Sequence, residues 1–395
     1  MIKLFSAFTE EIDDVEYAVN EVLDQLDLEN SLNKNSVGIL HCYHEFIDSG
    51  VVKALSEKVP FDIIGITVPY ICIPGKTSSM GLMLNVLTDD EVEFVTGISG
   101  TLDIGGGNLS EAVEEMCATT IKEAKAKNNK KTAMVMAYAP FLHVLNINAD
   151  EFVGGISKAF PTTPIFGGFS FSEEIDFSNC YFLYNGESYE RTAGIIAISG
   201  EINPSFLTIS VPEENIIGEL ATATKSTGNI LHEINGMSVV DYVISIGLID
   251  NKDDLEKIYS TPMIAMLEDG SKLVRVCIGG DGQGGAVMGG HVPVGARLGF
   301  TMLELNDTIS TSGEIATKAL EILNGRSIIV YTCMARLEFL SANQRELEAK
   351  TLCDIIGDSG EYYLAYVGGE IFPHMLTNCE YVNHLQNFSI VVCVL

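Results

Sequence analysis

Basic side chains are scarce in this chain. Lys and Arg together number 23 in 395 residues, against 54 Asp and Glu, and the formal net charge is −31. Nucleic-acid binding depends on Lys and Arg displacing counterions from phosphates, so a surface this acidic excludes it. An anionic membrane surface is disfavoured for the same reason. Cys-x-x-Cys pairs are also missing. The nine cysteines stand singly at Cys42, Cys72, Cys117, Cys180, Cys277, Cys333, Cys353, Cys379 and Cys393. Their number is odd and several lie inside apolar, strand-like runs, so buried reduced thiols in the cytosol are expected. No apolar run fits a membrane span: the longest uncharged stretch, Thr132 to Ala149, holds Pro140, His143, Asn146 and Asn148. The opening MIKLFSAFTEEIDD meets acidic residues too soon for a signal-peptide core. With 47% hydrophobic and only 19% charged residues, the chain is nevertheless a folding one. The expectation is a soluble cytoplasmic protein of two or three domains.

What is present is a repeat. VGILHCY (Val37–Tyr43), a helix-like SGVVKALSEKV, FDIIGITVPYICI (Phe61–Ile73) and SMGLMLNVL form a first copy. AMVMAYAP (Ala133–Pro140), ADEFVGGISKAF, TPIFGGFSFS (Thr163–Ser172) and TAGIIAISG form a second. SIIVYTCMA (Ser327–Ala335), QRELEAKTLCDII, YYLAYVGGEIF (Tyr362–Phe372) and FSIVVCVL form a third. Each second strand carries a glycine, at Gly65, Gly167 or Gly368, and a helix with apolar residues three and four apart precedes each copy. The unit reads helix–strand–helix–strand–strand: a parallel crossover followed by an antiparallel return strand. The fold class is therefore α/β, two mixed sheets with covering helices, for which helix–sheet–sheet–helix layering is one arrangement. The stretch from about Glu201 to Asn306 is strand-rich and could hold a worn fourth copy. Asn185–Gly186 predicts a tight hairpin.

Several motifs fail on context. Gly280, Gly282 and Gly285 spell G-x-G-x-x-G, but the following AVMGGHVPVG opens no helix for a pyrophosphate to meet. Gly75–Lys76–Thr77 resembles the end of a P-loop whose first glycine position is Tyr70, and so reads as a turn. Gly105–Gly107 reads as a connection capped by Asn108 or Ser110. His41 and His44 flank Cys42 and are weak metal-ligand candidates, because a strand would not present all three on one face. No nucleophile elbow or HExxH motif is present, and no enzymatic activity is predicted.

The third copy carries the candidate site. Arg336 follows the strand that ends at Cys333, Glu370 follows Gly368 and Gly369, and Asn387 and Ser389 open the last strand. If these strands are neighbours, Arg336 could pair a ligand carboxylate while Glu370 accepts from an amine. An Arg336–Glu370 salt bridge, with Asn387 tying down a turn, fits the same residues.

YTCMAR, YVGGEIFP and QNFSIVVCVL resemble the closing motifs of the FIST family, whose Cys–x–x–Arg, Gly–Glu–Ile and Asn–x–Thr elements match Cys333, Arg336, Gly369, Glu370, Ile371 and Asn387. FDIIGIT, PIFGG, the ATATKSTGNILHEINGMSVVDY segment and HVPVGARL resemble its other elements, in order, over essentially the whole chain. Ser389 and Phe388 depart from the usual threonine and polar residue. The resemblance implies a FIST N-terminal domain over 1–236, with copies at about 1–100 and 101–200, and a FIST C-terminal domain over 237–395. It implies a cytoplasmic signal-transduction protein that binds a small ligand, such as an amino acid or derivative, through Arg336, Glu370, Asn387, Cys333, Gly368 and Gly369. With both domains spanning the chain, signalling would pass to a partner such as a histidine kinase or another output protein. No cofactor is predicted on this reading. A haem-binding, nitric-oxide-sensing branch of the family is the alternative, with any of the seven histidines as axial ligand, and an uncharacterised enzyme is the third reading.

Overall fold

The computed structural model describes residues 2–173, 177–259, 261–340 and 344–395. Among the described residues the strands form four sheets, not two. Three have six strands and the same plan. In the first, strand Asn35–Cys42 pairs parallel with Ile63–Thr67 and antiparallel with the return strand Leu82–Asp89, which in turn pairs with Lys3–Thr9. The second repeats this with Thr132–Ala139, Ile165–Phe169, Gly194–Ser199 and Glu93–Ile98. The third uses Ile328–Cys333, Tyr362–Val367, Ile390–Val394 and Ser205–Ile209. The expected crossover and antiparallel return are present in all three, and the α/β class holds. The sequence does not announce the strand that leads each unit, nor the hairpin before the return strand in the first and third units.

Those hairpins do not stay in their own sheets. Ile71–Ile73 of the first unit pairs with Tyr362–Val367 of the third and carries Lys76–Ser78 beyond it at the sheet edge. Phe182–Tyr184 of the second pairs with Ile63–Thr67 of the first and carries Glu187–Tyr189. Glu370–Met375 of the third pairs with Ile165–Phe169 of the second and carries Tyr381–Gln386. The exchange is cyclic. Asparagines help lock it: Asn185 Oδ1 accepts from Ile63 N at 2.8 Å and Asn383 Oδ1 from Ile165 N at 2.7 Å. Phe61–Ile73 and Tyr362–Phe372, each read as one strand, are two strands in different sheets. Asn185 and Gly186 turn their hairpin at φ 47° and 88°, as expected of this pair.

The inner faces of the three sheets share one core that includes Phe8, Ile39, Met136, Phe166, Ile329 and Val391. This replaces helix–sheet–sheet–helix stacking. Each outer face packs separately under its own helices. The helices fit because their apolar residues recur at three- and four-residue steps, as with Val113, Met116, Cys117, Thr120 and Ala124 of Leu109–Asn128. No described helix is long and apolar enough to cross a membrane. At the centre the Tyr331 hydroxyl lies 2.7 Å from that of Tyr138 and 3.0 Å from that of Tyr363. His41 is fully buried among these rings, and burial pulls its pKa down to about 3, so it is neutral. Cys42, one residue on, packs on the opposite, helix-covered face. The HCYH residues therefore do not converge on one ligand set, and no group of three metal-ligating side chains occurs among the described residues.

Between Ser205–Ile209 and helix Leu305–Leu323 of the third unit lies the stretch suspected of being a fourth copy. It is an all-antiparallel sheet instead. Its strands run in the order Ala221–Thr227, Arg297–Phe300, Pro262–Met266, Lys272–Gly280, Ala286–Met288 and Ile230–Ile234, and the last pairs back with the first to close a ring. Position 236 is in the turn from Ile230–Ile234 to Met237–Ser238, inside this module. Cys72, on the exchanged hairpin of the first unit, lies against Cys353 of helix Arg345–Ile356 with their Cα atoms 7.7 Å apart, a wider span than a disulfide bridges.

Gly65 and Gly167 occupy equivalent positions opposite Leu40 and Ala137. A Cβ at either would stand 1.9 Å or 2.0 Å from that partner's carbonyl oxygen. Gly368 is not their counterpart, since it follows its strand at the point where the chain leaves for the next sheet. Gly65→Ala is expected to lower stability by about 3 kcal/mol, measured by urea denaturation. A change within about 0.5 kcal/mol would contradict this packing.

Candidate functional site

The third exchanged hairpin brings the candidate residues to the seam between the three-sheet body and the antiparallel ring. Helix Met334–Phe339 starts directly after strand Ile328–Cys333, which turns Arg336 inward until it is wholly buried. Its carboxylate partner is Glu348, with Nε to Oε1 at 2.9 Å, and not Glu370. Its other terminal nitrogens donate to Thr308 O at 2.9 Å, Thr311 Oγ1 at 3.0 Å and Phe388 O at 3.4 Å. The guanidinium therefore ties three helices to the last bend of the chain. This differs both from the ligand clamp and from the Arg336–Glu370 bridge read from the sequence. Glu348 was missed, although a carboxylate beside the buried Ala349 and Leu352 on one helix face signals a buried partner.

Glu370 is also fully buried. Ser389 Oγ donates to its Oε2 at 2.5 Å, the Cys333 thiol and the Ser389 backbone N–H also bond the carboxyl, and Oε1 meets no partner of hydrogen-bond geometry among the described residues. Burial pushes its pKa up to about 8, against the opposing pull of Ser389, the nearby Cys333 thiol and the Arg336 charge. Burial likewise raises the Cys333 thiol, and the Glu370 charge adds to the effect. Asn387, Glu370, Cys333 and Ser389 are thus brought together, and Arg336 lies behind them. The glycine pair does not leave open space. A Cβ on Gly368 would meet Ser170 O at 2.7 Å and the Phe141 ring at 2.9 Å.

The bend 387–389 is strained. Phe388 is buried at φ 54°, a region a bulky side chain rarely enters, and its ring covers the Arg336 guanidinium at 5.5 Å. Asn387 Nδ2 donates to Gln386 O, and its buried Oδ1 has no partner. That oxygen faces Gly289 of the ring, where a Cβ would lie 2.5 Å away.

A second buried arginine closes the seam, and the sequence reading passed over it. Arg275 interrupts the apolar strand LVRVCI, a signal in itself. It donates to Asp150 Oδ1 at 3.1 Å, His291 O at 3.0 Å and Leu385 O at 2.9 Å, and Asp150 Oδ2 accepts from His291 N at 2.6 Å. His143 Nε2 lies 3.2 Å from Gly289 O, and burial lowers its pKa. Because a carbonyl only accepts, Nε2 carries the proton. Beside this network a cleft of about 320 Å³ opens, bounded by Gly105, His143 and Glu151 on the second unit and Asn229, Ile278 and Val287 on the ring. It lies on the loop that leaves the carboxyl end of strand Thr132–Ala139, where α/β sheets ordinarily receive ligands. Larger depressions of about 980 and 770 Å³ lie at the other ends of the strands beside Lys3, Lys130, Asn35 and Asp62, and one of about 630 Å³ lies beside Glu10, Glu21 and Lys76 of the first unit.

The remaining motifs behave as turns. Asp281 Oδ1 accepts from Gln283 N and Gly285 N within Gly280–Gly285. Asn108 bonds Asp103 and Thr101 beside Gly105–Gly107. Of the histidines weighed as haem ligands, His41 is in the central core, His374 bonds Gln386, His232 faces Asp281 and His291 bonds Gly228.

The FIST N domain model matches residues 36–237 and the FIST C domain model residues 239–373. No curated protein matches the chain. Among solved structures, cyanuric acid hydrolase from A. caulinodans aligns over 100% of this chain and 98% of its own at 9% identity, with a TM-score of 0.37. A second cyanuric acid hydrolase aligns over 68% of this chain and 82% of its own at 11% identity, TM-score 0.28. PurLQS from Thermotoga maritima aligns over 100% and 71% at 9% identity, TM-score 0.19. Likenesses this distant carry no argument about fold or chemistry.

Arg336→Met strands the buried Glu348 carboxylate and is expected to cost about 3–5 kcal/mol, with much of the loss recovered in Arg336→Met/Glu348→Gln. Chemical denaturation of the two variants measures this, and equal losses would contradict the pairing. Glu370 has a raised folded pKa, so its stabilising effect is full below about 4.5, the ordinary value, and is lost as pH rises towards about 8. Glu370→Gln should remove a downward slope of up to about 1.4 kcal/mol per pH unit across that window. Parallel wild-type and variant profiles would contradict the burial.

Proposed function

Because the chain belongs to the FIST family and carries both its N and C domains, we propose that it is a cytoplasmic sensory protein that binds a small ligand at the seam and signals through a partner protein. FIST domains are sensory and signalling domains. The observation that carries the site is a pair of polar atoms without hydrogen-bond partners among the described residues, Glu370 Oε1 and Asn387 Oδ1, buried where the exchanged hairpin meets the ring. A buried acceptor without a donor costs about 1–3 kcal/mol, and native proteins rarely leave two together. The strain at Phe388 adjoins them, and strain of this kind gathers at ligand sites. A ligand offering N–H donors relieves the two atoms by opening this packed corner, since both are buried and Asn387 Oδ1 abuts Gly289. It also engages both sides of the seam, which gives the signal a mechanical route.

Arg336 enters this reading as a positioning residue that holds Phe388. The ligand class follows the family expectation of an amino acid or derivative. The partner would be a histidine kinase or another output protein with a basic docking face, matched to the net charge of −31. Calorimetric titration of the purified protein with an amino-acid and metabolite panel tests the site. At least one compound should bind, and Glu370→Gln and Asn387→Ala should each weaken it tenfold or more. Unchanged affinity in both variants removes these residues from the site.

A further inference from the structure

The cleft beside the seam is selective in its chemistry. No Lys or Arg lines it among the described residues. Arg275, nearby, is fully buried with its donors engaged by Asp150, His291, Val274 and Leu385. A ligand carboxylate would therefore find no cation. Asn146, Asn148 and Asn229 offer neutral amide groups, and Glu151 is the one carboxylate in the lining among the described residues. Glu151 is exposed and has no ion-pair partner among the described residues. The Nδ1 of His143 is left as an acceptor once Nε2 donates to Gly289 O. Behind Gly289 stands Asn387 Oδ1, also unpartnered. Ile230, Ile278 and Val287 give the opposite wall an apolar surface, with Ile278 39% exposed. The volume of about 320 Å³ is at the small end of the range for ligand pockets.

Resting on the sensory reading above, we infer that this cleft takes a small organic amine: a protonated amino group on a compact apolar body, without a carboxylate. The ammonium lies between Glu151 and His143, and its apolar part covers Ile278 and Val287. The acidic surface raises the local concentration of such cations. The ligand bridges the second unit and the ring beside the Asp150–Arg275–His291 clasp, so occupancy bears directly on how the two modules hold together.

Three probes of matched shape test this by calorimetry on the full chain: 2-phenylethylamine, 3-phenylpropionate and phenylalanine. The amine should bind with at least tenfold preference over the other two. Glu151→Gln should weaken it at least tenfold, and Ile278→Trp, which fills the cleft, should abolish binding. Both positions are exposed, and unchanged circular dichroism and melting verify the fold of each variant. Preference for the acid or the zwitterion overturns the amine assignment while leaving the sensory reading intact. Amine binding insensitive to both substitutions overturns the cleft. Silence of all three probes, with a panel compound binding through Glu370 and Asn387, overturns the inference alone; silence of the panel as well overturns both.

Discussion

Every sheet in the three-sheet body is completed by a hairpin that belongs to another unit. An open edge would leave a row of backbone donors and acceptors unpaired, and the exchange covers one edge strand in each sheet. The first unit lends its hairpin to the third, the second to the first, and the third to the second. A unit on its own would therefore carry a bare strand and a stray hairpin. The arrangement makes the body one cooperative object around a shared core, even though the family's two domain models part at residues 237–239.

The candidate site is a by-product of that constraint. For the third hairpin to reach the second sheet, the chain must leave its strand at Gly368–Gly369 and return through the bend at Asn387–Ser389. The first turning point packs on Ser170 and Phe141 of the second unit, and the second falls against the antiparallel ring, which is inserted between the first strand and first helix of the same unit. Polar groups needed at such corners end up buried: Arg336 with Glu348, Arg275 with Asp150, Ser389 with Glu370. The two arginines are saturated and fix the geometry. The cleft's one carboxylate among the described residues, Glu151, has no Lys or Arg beside it in the lining, and unpartnered acceptors remain at Asn387 and His143. That asymmetry favours a donor-rich ligand.

Much of this was legible in the sequence. The three repeats, the parallel crossovers, the antiparallel returns and the Asn185–Gly186 hairpin all follow from periodicity and turn chemistry, which are local. The family was legible from ordered motifs. The exchange was not, because Phe61–Ile73 reads as one apolar run and nothing in its composition says that the chain changes sheets at Val68. A worn fourth repeat is one reading of the ring because short strands with glycine turns look alike until their pairing is known. Cys333, Glu370 and Ser389 do lie together in the fold, with Asn387 beside them. Arg336 was given the wrong carboxylate, since Glu348 reaches it from a helix whose sequence looks merely amphipathic. Arg275 and Asp150, 125 residues apart, have no shared motif to announce them.

The central claim is that ligand binding is felt at the seam between the exchanged body and the ring. Amide hydrogen exchange with and without a bound compound tests it most directly. Protection should rise in 143–151, 286–291 and 385–390 and stay unchanged at the opposite strand ends around Lys3, Asn35 and Lys130. Protection confined to those opposite ends, with the seam unaffected, would contradict it.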